Sequence, residues 1–319
     1  MSKTLNLITG GAGFIGSNLC RALLERGERV RVLDNFSTGK RENLHGLDVE
    51  LIEGEAGDPD VAARACRGVN CIFHEAALPS VPRSLEQPLQ SHHACATATL
   101  VMLQAAREAG VRRFIYAGSS SAYGNSLTLP KVENMGPNPR SPYAVAKLAG
   151  EYYCRVYAQT MGLETVVLRY FNIFGPHQDP TSVYSGVLAV FITRLLAGLP
   201  CTINGDGETS RDFTYIDNVI QANLSARDAK AASGNVYNVG CGRRVTLNWI
   251  YAFLAHEIGC ELAPLYGPER PGDVRDSLAD IQAAERDLSY CPRVPIEDGL
   301  RETLAWYRRK PQSEEVFPA

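Results

Sequence analysis

No run of apolar residues in the 319-residue chain approaches the ~18 needed to span a bilayer. No membrane partner is therefore expected. An excess of one charge is also missing. The net charge of −3 gives no footing for nucleic acid or an anionic surface. The first ten residues lack a small-residue cleavage site and contain Asn6, Thr9 and Gly10, so they read as a first strand rather than a signal peptide. The nine cysteines are odd in number and never fall in Cys-x-x-Cys, the pattern of reduced thiols in a cytoplasmic protein. Six histidines include the pair His92-His93 but no His-Glu-x-x-His and no mixed Cys/His cluster, so no metal site is expected. Internal repeats and low-complexity tracts are absent as well.

What the chain does contain is an ordered alternation. Leu5 to Thr9 is a short apolar strand running into Gly10-Gly11-Ala12-Gly13-Phe14-Ile15-Gly16, then a helix predicted over Ser17–Arg26. Strand, glycine turn and helix start form the context in which G-x-G-x-x-G binds a pyrophosphate. The glycines allow a tight turn and a close backbone approach, and the helix N-terminus offers N–H groups and a positive dipole end. The next strand, Arg29 to Leu33, ends at Asp34, eighteen residues past Gly16. A carboxylate there suits the adenosine ribose hydroxyls and repels a 2′-phosphate, favouring NAD over NADP. Asn35, Ser37, Thr38 and Gly39 follow as a polar turn able to reach the adenosine end.

Further strands read at Val49–Glu53, Cys71–His74, Arg113–Gly118 and Thr165–Tyr170, with a long helix within Pro88–Gly110. Strands alternating with helices imply a parallel sheet covered on both faces, with ligands at the carboxyl ends of its strands. To that edge come the small pair Ala76-Ala77, the hydroxyls of Ser119-Ser120-Ser121 before Tyr123-Gly124, and Phe171-Asn172. Beyond Gly175 the regularity breaks, with Gly186 leading into a helix over Val187–Ala197. Two polar turns then present Arg211, Arg270 and Arg275, suited to bidentate phosphate contact. A terminal helix over Pro295–Arg308 should turn Leu300, Leu304 and Trp306 inward. The fold expected is α/β, a Rossmann-type doubly wound parallel sheet with a smaller C-terminal α/β lobe. The expected domains are 1–175, a cofactor-binding unit to which segments near 215–240 return, and 176–319, mainly a substrate lobe.

The most informative stretch is Arg140-Ser141-Pro142-Tyr143-Ala144-Val145-Ala146-Lys147. Proline suits a first helical turn, and Tyr143 and Lys147 then lie at i and i+4 on one face. A free tyrosine, with a pKa of about 10, is a poor base at neutrality. A neighbouring ammonium favours the phenolate. Bringing the phenol to neutrality takes roughly 4 kcal/mol, more than one exposed charge pair supplies. A second positive charge would help, and an oxidised nicotinamide ring carries one. A lone Tyr-x-x-x-Lys also occurs on ordinary surface helices; the rest of the chain gives this one its meaning.

Taken together, Gly10 to Gly16, Asp34 to Gly39, Ala76-Ala77-Leu78 with Ser80-Val81-Pro82-Arg83-Ser84, Ser119 to Gly124, Ser141-Pro142-Tyr143 with Lys147, Leu168 to Asn172, Gly205 to Asp217 and Gly272 to Arg275 resemble the extended short-chain dehydrogenase/reductase family. Within it the chain is similar to nucleotide-sugar 4-epimerases, especially UDP-N-acetylglucosamine 4-epimerases, over nearly its whole length. The resemblance implies that Tyr143 is the base, Lys147 its partner and a nicotinamide-ribose ligand, and Ser119 the catalytic hydroxyl. It places NAD against Gly10, Gly13, Phe14, Ile15, Gly16, Asp34, Asn35, Ser37, Thr38, Gly39, Glu55, Ala56, Ala76, Ala77, Leu78, Tyr143, Lys147 and Tyr170. It places a UDP-sugar against Ser80, Arg83, Ser119, Ser120, Ser121, Tyr143, Asn172, Gly186, Arg211, Arg270, Asp273 and Ser277. A homodimer through two long helices, around Leu89–Ala109 and Tyr143–Met161, is also implied.

Three positions depart from the family's pattern. Glu55 stands for the usual Asp that contacts adenine, Cys95 for an Asn in the long helix, and Pro79 for a small residue beside the sugar. The first two bear on cofactor affinity, the third on substrate detail. Two other readings share features of the sequence. Sugar 4,6-dehydratases and uronate decarboxylases need an acid beside the catalytic hydroxyl, where this chain has Ser120 and Ser121. A non-catalytic NAD-binding regulator would have little need of Ser119, Tyr143 and Lys147 together.

Overall fold

A strand that is apolar on both faces must be covered on both. In the computed structural model, which describes residues 4–179, 186–269 and 274–309, this is so for β1 (Leu5–Thr9), all five of whose residues are buried. The first half continues through α1 (Phe14–Glu25), β2 (Arg29–Asp34), β3 (Val49–Glu53), α2 (Pro59–Cys66), β4 (Cys71–His74), α3 (Val81–Glu86), α4 (Pro88–His92), α5 (Ala98–Glu108), β5 (Arg113–Ser119), α6 (Pro142–Thr160) and β6 (Glu164–Tyr170). The second half comprises β7 (Ile173–Phe174), α7 (Val187–Leu196), β8 (Thr202–Asn204), β9 (Ser210–Arg211), β10 (Thr214–Tyr215), α8 (Ile216–Asp228), β11 (Asn235–Val239), β12 (Val245–Thr246), α9 (Leu247–Ile258), β13 (Leu265–Gly267), α10 (Gln282–Leu288) and α11 (Ile296–Arg309).

Seven strands form one sheet in the order β11-β6-β5-β4-β1-β2-β3, and every neighbouring pair is parallel. This is the Rossmann-like doubly wound sheet expected from the alternation. From β1 the chain winds first to one side and then, at β4, to the other, so the crevice for a ligand opens at the carboxyl ends of β1 and β4. Apolar side chains fill both faces. Leu19, Cys20 and Leu23 of α1 and Val219, Ala222 and Ala226 of α8 pack on one. Ala62 and Ala65 of α2, Met102, Leu103 and Ala106 of α5, and Cys154 and Tyr157 of α6 pack on the other. Strand β11 joins the sheet beside β6 after the chain has left it for β7 to α8. Three two-stranded pairs, β7 with β10, β9 with β12 and β8 with β13, build the region beyond the carboxyl edge.

Two expectations differ in detail. Helix α1 begins at Phe14 rather than Ser17, because Gly13 in extended backbone serves as its N-cap and Ser17 N–H already bonds the Gly13 carbonyl at 3.0 Å. The long helix within Pro88–Gly110 is not uniform. A turn of π-helix, His93–Thr97, separates α4 from α5 and contains Cys95. In such a turn the bonds run to i+5, an arrangement found frequently at functional sites. In α11, Leu300, Leu304 and Tyr307 are buried, and Trp306 packs edge-on against Tyr307 from a half-buried position.

Candidate active site

The glycine turn is dictated by contacts a side chain would break. Gly10 has φ of +69°, and a Cβ there would meet the Ala76 backbone nitrogen at 2.8 Å. A Cβ on Gly16 would lie 2.2 Å from the Gly10 carbonyl oxygen and 2.7 Å from Gly11 Cα, so this glycine sets how closely α1 lies on the turn. Gly13 differs: its Cβ would meet only the Gly10 oxygen, at 3.1 Å. The face of the turn at Gly13 is thus open. No side chain caps α1, which leaves the N–H groups of Phe14, Ile15 and Gly16 at its first turn for an anion.

Asp34, buried at the end of β2, organises the adenosine side. Its Oδ2 accepts from Ala12 N–H at 2.9 Å and its Oδ1 from Phe36 N–H at 2.8 Å. Burial raises its pKa and these two bonds oppose the rise. Each oxygen keeps a lone pair, so the carboxylate can still accept two ribose hydroxyls. Gly39 lies close against it; a Cβ there would be 3.0 Å from Oδ1. Asn35 Nδ2 donates to Glu55 Oε1 at 2.8 Å, and Asn35 Oδ1 accepts from Ser37 N–H at 3.0 Å. Asn35, Ser37 and Thr38 are exposed and Ala56 is buried. Open glycine, uncapped helix start and double-acceptor carboxylate together fit a dinucleotide.

At the carboxyl edge of β4 and β5 lies the second cluster. Ser119 Oγ accepts from Ser121 N–H at 3.2 Å and from Ser121 Oγ at 2.8 Å. Its own hydrogen is thereby left to point elsewhere, and the Ser119 hydroxyl is near enough to Tyr143 to favour its phenolate. Tyr143 packs with Cys95, Ala77, Ala146 and Ala149. One turn along α6, buried Lys147 holds Nζ 4.7 Å from the centre of the Tyr116 ring, and Tyr116 donates to the Lys147 carbonyl at 3.1 Å. Helix α6 can lie this low because Gly150 faces Tyr116; a Cβ at Gly150 would come 2.3 Å from its oxygen. Burial pushes the Tyr143 phenol above its ordinary range, and the nearby Ser119 hydroxyl only partly opposes this. Burial also pulls the Lys147 ammonium down. Both shifts disfavour the charged forms, so the second positive charge argued from the sequence would help the phenolate form.

The third cluster lies beyond β6. Asn172 adopts φ of +37°, an uncommon conformation for a residue with a side chain, and its Nδ2 donates to the Asp212 carbonyl at 3.0 Å. Arg211 bonds the Ser210 and Arg275 carbonyls at 2.9 and 3.0 Å. Ser277 runs alongside, with its N–H on the Ser210 carbonyl at 3.1 Å and its carbonyl accepting from Asp212 N–H at 2.8 Å. Asn172, Arg211 and Ser277 thus share one framework. Gly186 is the N-cap of α7, and a Cβ there would lie 3.1 Å from Gln178 Nε2. Ser80 is already engaged as the N-cap of α3, accepting from Arg83 N–H at 3.1 Å. Ser120 opens the short turn after β5, and Leu78 is buried beside Ala76 and Ala77. Arg270 and Asp273 lie outside the described residues.

Two residues of this region escaped the sequence reading. Asp212 is fully buried and accepts from the N–H groups of Cys241, Gly242 and Ala279 at 2.8, 3.0 and 3.2 Å; burial nonetheless pushes it up to about 6. It holds Arg211 and the Asn172 contact in place. Glu75, between His74 and Ala76, accepts from the Tyr170 hydroxyl at 2.9 Å. An acid at the carboxyl end of a central parallel strand was the signal available. Among the described residues no cluster could hold a metal ion, and no helix is long and apolar enough to cross a membrane.

A sequence profile of the NAD dependent epimerase/dehydratase family matches residues 6–240. A UDP-glucose 4-epimerase of Mycolicibacterium smegmatis is 36% identical over 312 residues, covering 96% of this chain and 99% of the relative. Among solved structures, the UDP-glucose 4-epimerase of Thermotoga maritima with UDP-glucose superimposes with a TM-score of 0.92 at 38% identity, covering 96% of this chain and 99% of its own. A UDP-N-acetylglucosamine 4-epimerase from Methanobrevibacter ruminantium, in complex with UDP-N-acetylmuramic acid, does so with a TM-score of 0.92 at 35% identity, covering 97% and 99%. The chain belongs to the NAD dependent epimerase/dehydratase family, as an enzyme whose cofactor is NAD.

Proposed function

We propose that the chain is a UDP-sugar 4-epimerase that interconverts UDP-N-acetylglucosamine and UDP-N-acetylgalactosamine through a transient 4-keto sugar. The observation that carries this reading is the cluster at the carboxyl edge of the sheet, where Ser119 ends β5 and Tyr143 packs on Cys95 and Ala146 one helical turn from buried Lys147. Ser119 donates toward the sugar 4-oxygen and Tyr143 removes its proton, with Lys147 as the fixed positive charge that favours the phenolate. When bound, NAD would supply an acceptor and then a donor for the C4 hydride, and the positive charge of its oxidised ring. Gly10, Gly13, Phe14, Ile15, Gly16, Asp34, Asn35, Ser37, Thr38, Gly39, Glu55, Ala56, Ala76, Ala77, Leu78 and Tyr170 hold it. Asn172, Arg211, Arg270 and Asp273 hold the diphosphate, with Ser80, Arg83, Gly186 and Ser277 toward the sugar.

Elimination or decarboxylation would need an acid beside Ser119. The neighbouring Ser120 and Ser121 carry none, and Ser121 is committed to Ser119. The small Gly186 and Ser277 favour a sugar with bulk at its 2-position. Incubating the protein with UDP-N-acetylglucosamine, UDP-glucose and UDP-glucuronic acid and resolving the products by NMR tests the reading. Turnover of the uronic acid alone would reject the substrate and keep the mechanism, whereas loss of water or CO2 would reject both.

The same reading includes a cytoplasmic homodimer. Exposed Val145, Tyr152, Tyr153 and Val156 on α6 recur at helical spacing, and Leu85 and Leu89 on α3 and α4 are exposed next to them. This apolar surface matches a four-helix contact between two copies of α4–α5 and α6. Sedimentation as a monomer at micromolar concentration would remove that part.

A further inference from the structure

Tyr116 has no task in the mechanism above, yet it meets Lys147 at both ends of that residue. Its hydroxyl donates to the Lys147 carbonyl at 3.1 Å, and its ring centre lies 4.7 Å from Lys147 Nζ. The first contact ties a turn of α6 to strand β5; the second gives the ammonium an aromatic face. The ring is itself held in place. Strands β4 and β5 pair His74 with Tyr116, and the two rings stack with centres 6.0 Å and planes 21° apart. His74 Nδ1 lies 2.8 Å from Thr9 Oγ1 and its Nε2 3.1 Å from Thr99 Oγ1. Thr99 spends its hydrogen on the Cys95 carbonyl at 2.5 Å, so it accepts from His74 Nε2–H, and Nδ1 accepts from Thr9. Burial pulls His74 down to about 3, so near pH 7 a neutral ring, not a second cation, stacks on Tyr116.

Lys147 is buried, and an ammonium out of water is costly unless something favours its charge. The negative face of an aromatic ring does so, with an attraction that grows as water is excluded. Glu151, on the same helix, is spent on Arg169 at 2.6 and 2.9 Å. Other titratable groups around Lys147 are Glu75 at the end of β4, the thiols of Cys95 and Cys154, and the Tyr143 phenol one turn back. Burial raises Cys154 and the Tyr116 and Tyr143 phenols. Burial places Glu75 at about 7, and changes at Tyr116 leave that residue in place as a common background.

We propose that Tyr116 is a positioning residue for Lys147: its ring face holds the ammonium, and its hydroxyl holds the turn of α6 that carries it. The inference rests on the epimerase reading for its purpose but not for its test. Ser119 ends β5 and Tyr116 precedes it on the same strand, so one strand serves both members of the Tyr143/Lys147 pair. A lysine side chain has much rotamer freedom to lose, and the ring removes it before cofactor and sugar arrive. A carboxylate could fix the ammonium as well, but it would set a like charge near the Tyr143 phenolate and disfavour it. An aromatic face steadies the cation without that cost. Gly150 makes the arrangement possible, since any side chain there would strike the Tyr116 hydroxyl oxygen.

The test titrates Lys147 by NMR of the NAD-loaded protein carrying 13C- and 15N-labelled lysine, with Lys147→Met assigning the signal. Tyr116→Phe keeps the ring and loses the hydroxyl. A trifluorinated phenylalanine at the same position keeps the shape but weakens the negative face, and Tyr116→Leu has no ring. Relative to Tyr116→Phe, fluorination should lower the Lys147 midpoint by about half a pH unit, a threefold change in proton affinity, and Tyr116→Leu by about one unit, tenfold. The alkaline limb of kcat should move down with the midpoint while KM for the UDP-sugar holds. Tyr116→Phe itself should keep the wild-type midpoint and lower kcat several-fold, because its turn of α6 is released from β5. A side chain that only fills space would give one midpoint for phenylalanine and its fluorinated form, and that result would overturn the proposal. A midpoint in Tyr116→Phe as low as in Tyr116→Leu would do the same. Should Tyr116→Leu not fold, the fluorinated pair decides alone. A protein inactive on UDP-sugars but with the stepwise midpoints would reject the function and leave the role of the ring standing.

Discussion

Two glycines three residues apart should separate cofactor binding from folding. A Cβ on Gly16 would lie 2.2 Å from the Gly10 oxygen and 2.7 Å from Gly11 Cα, both backbone atoms of the turn. Neither can swing aside, so α1 must lift by roughly 1 Å, and overpacking of that kind costs about 1–3 kcal/mol. The lower intrinsic helix cost of alanine returns only about 1 kcal/mol of this. Gly16→Ala should therefore lower the melting temperature by a few degrees even without NAD. At Gly13 a Cβ would meet one atom, at 3.1 Å, and the loss is the modest one of alanine at an N-cap, about 1 kcal/mol or less. The new methyl group would stand on the open face where a pyrophosphate must approach, so Gly13→Ala should weaken NAD binding at least ~10-fold, about 1.4 kcal/mol. Thermal melting of cofactor-stripped protein and calorimetric titration with NAD read the two effects separately. Wild-type affinity for NAD in a folded Gly13→Ala would refute the reasoning, since the turn would then not be the pyrophosphate cradle.

Ser277→Tyr should sharply reduce kcat/KM for the N-acetylated sugar pair and spare the plain hexose pair; equal losses would mean Ser277 does not gate the acetyl group. Arg169 and Glu151 form a bidentate pair, each about 4% exposed, so Arg169→Met should cost about 3–5 kcal/mol in denaturant unfolding because it strands a buried carboxylate. Asp212 has a folded pKa raised to about 6, so the native state holds its proton more tightly than the unfolded chain. Its contribution to stability is full below about pH 4 and is lost as the pH rises through about 6, on the order of 3 kcal/mol in all. Asp212→Asn should remove that slope, gaining relative to wild type between pH 4.5 and 7 in urea unfolding; parallel curves would contradict it.

How much of this could be read from the chain follows from the range of each interaction. Leu5–Thr9 and Arg113–Ser119 announce themselves through apolar residues and Arg29–Asp34 through its β-branched Val30 and Val32 before an acid, all local properties. So does the Tyr143/Lys147 pair, because helical spacing alone puts both on one face. Asp212 and Glu75 were missed for the opposite reason. Their tasks exist only through partners far along the chain: Ala279 lies 67 residues from Asp212, and Tyr170 lies 95 residues from Glu75. The π-helical turn at Cys95 escaped because its residues suit an α-helix equally well; in the fold it packs with Ala146 and Tyr143. Ser80 shows the converse case. Its hydroxyl was read as reaching the sugar, and the fold gives it a cap to make as well.

The measurement that bears most directly on the central claim is turnover of a UDP-sugar by Tyr143→Phe. Phenylalanine keeps the ring among Cys95, Ala77, Ala146 and Ala149 and removes only the phenol oxygen. Epimerisation is followed by NMR, and binding of NAD and UDP-sugar is titrated on the same sample. The account predicts that turnover falls at least ~100-fold, the low end for loss of a general base, while UDP-sugar binding changes little. Near-normal turnover in Tyr143→Phe with intact binding would contradict it.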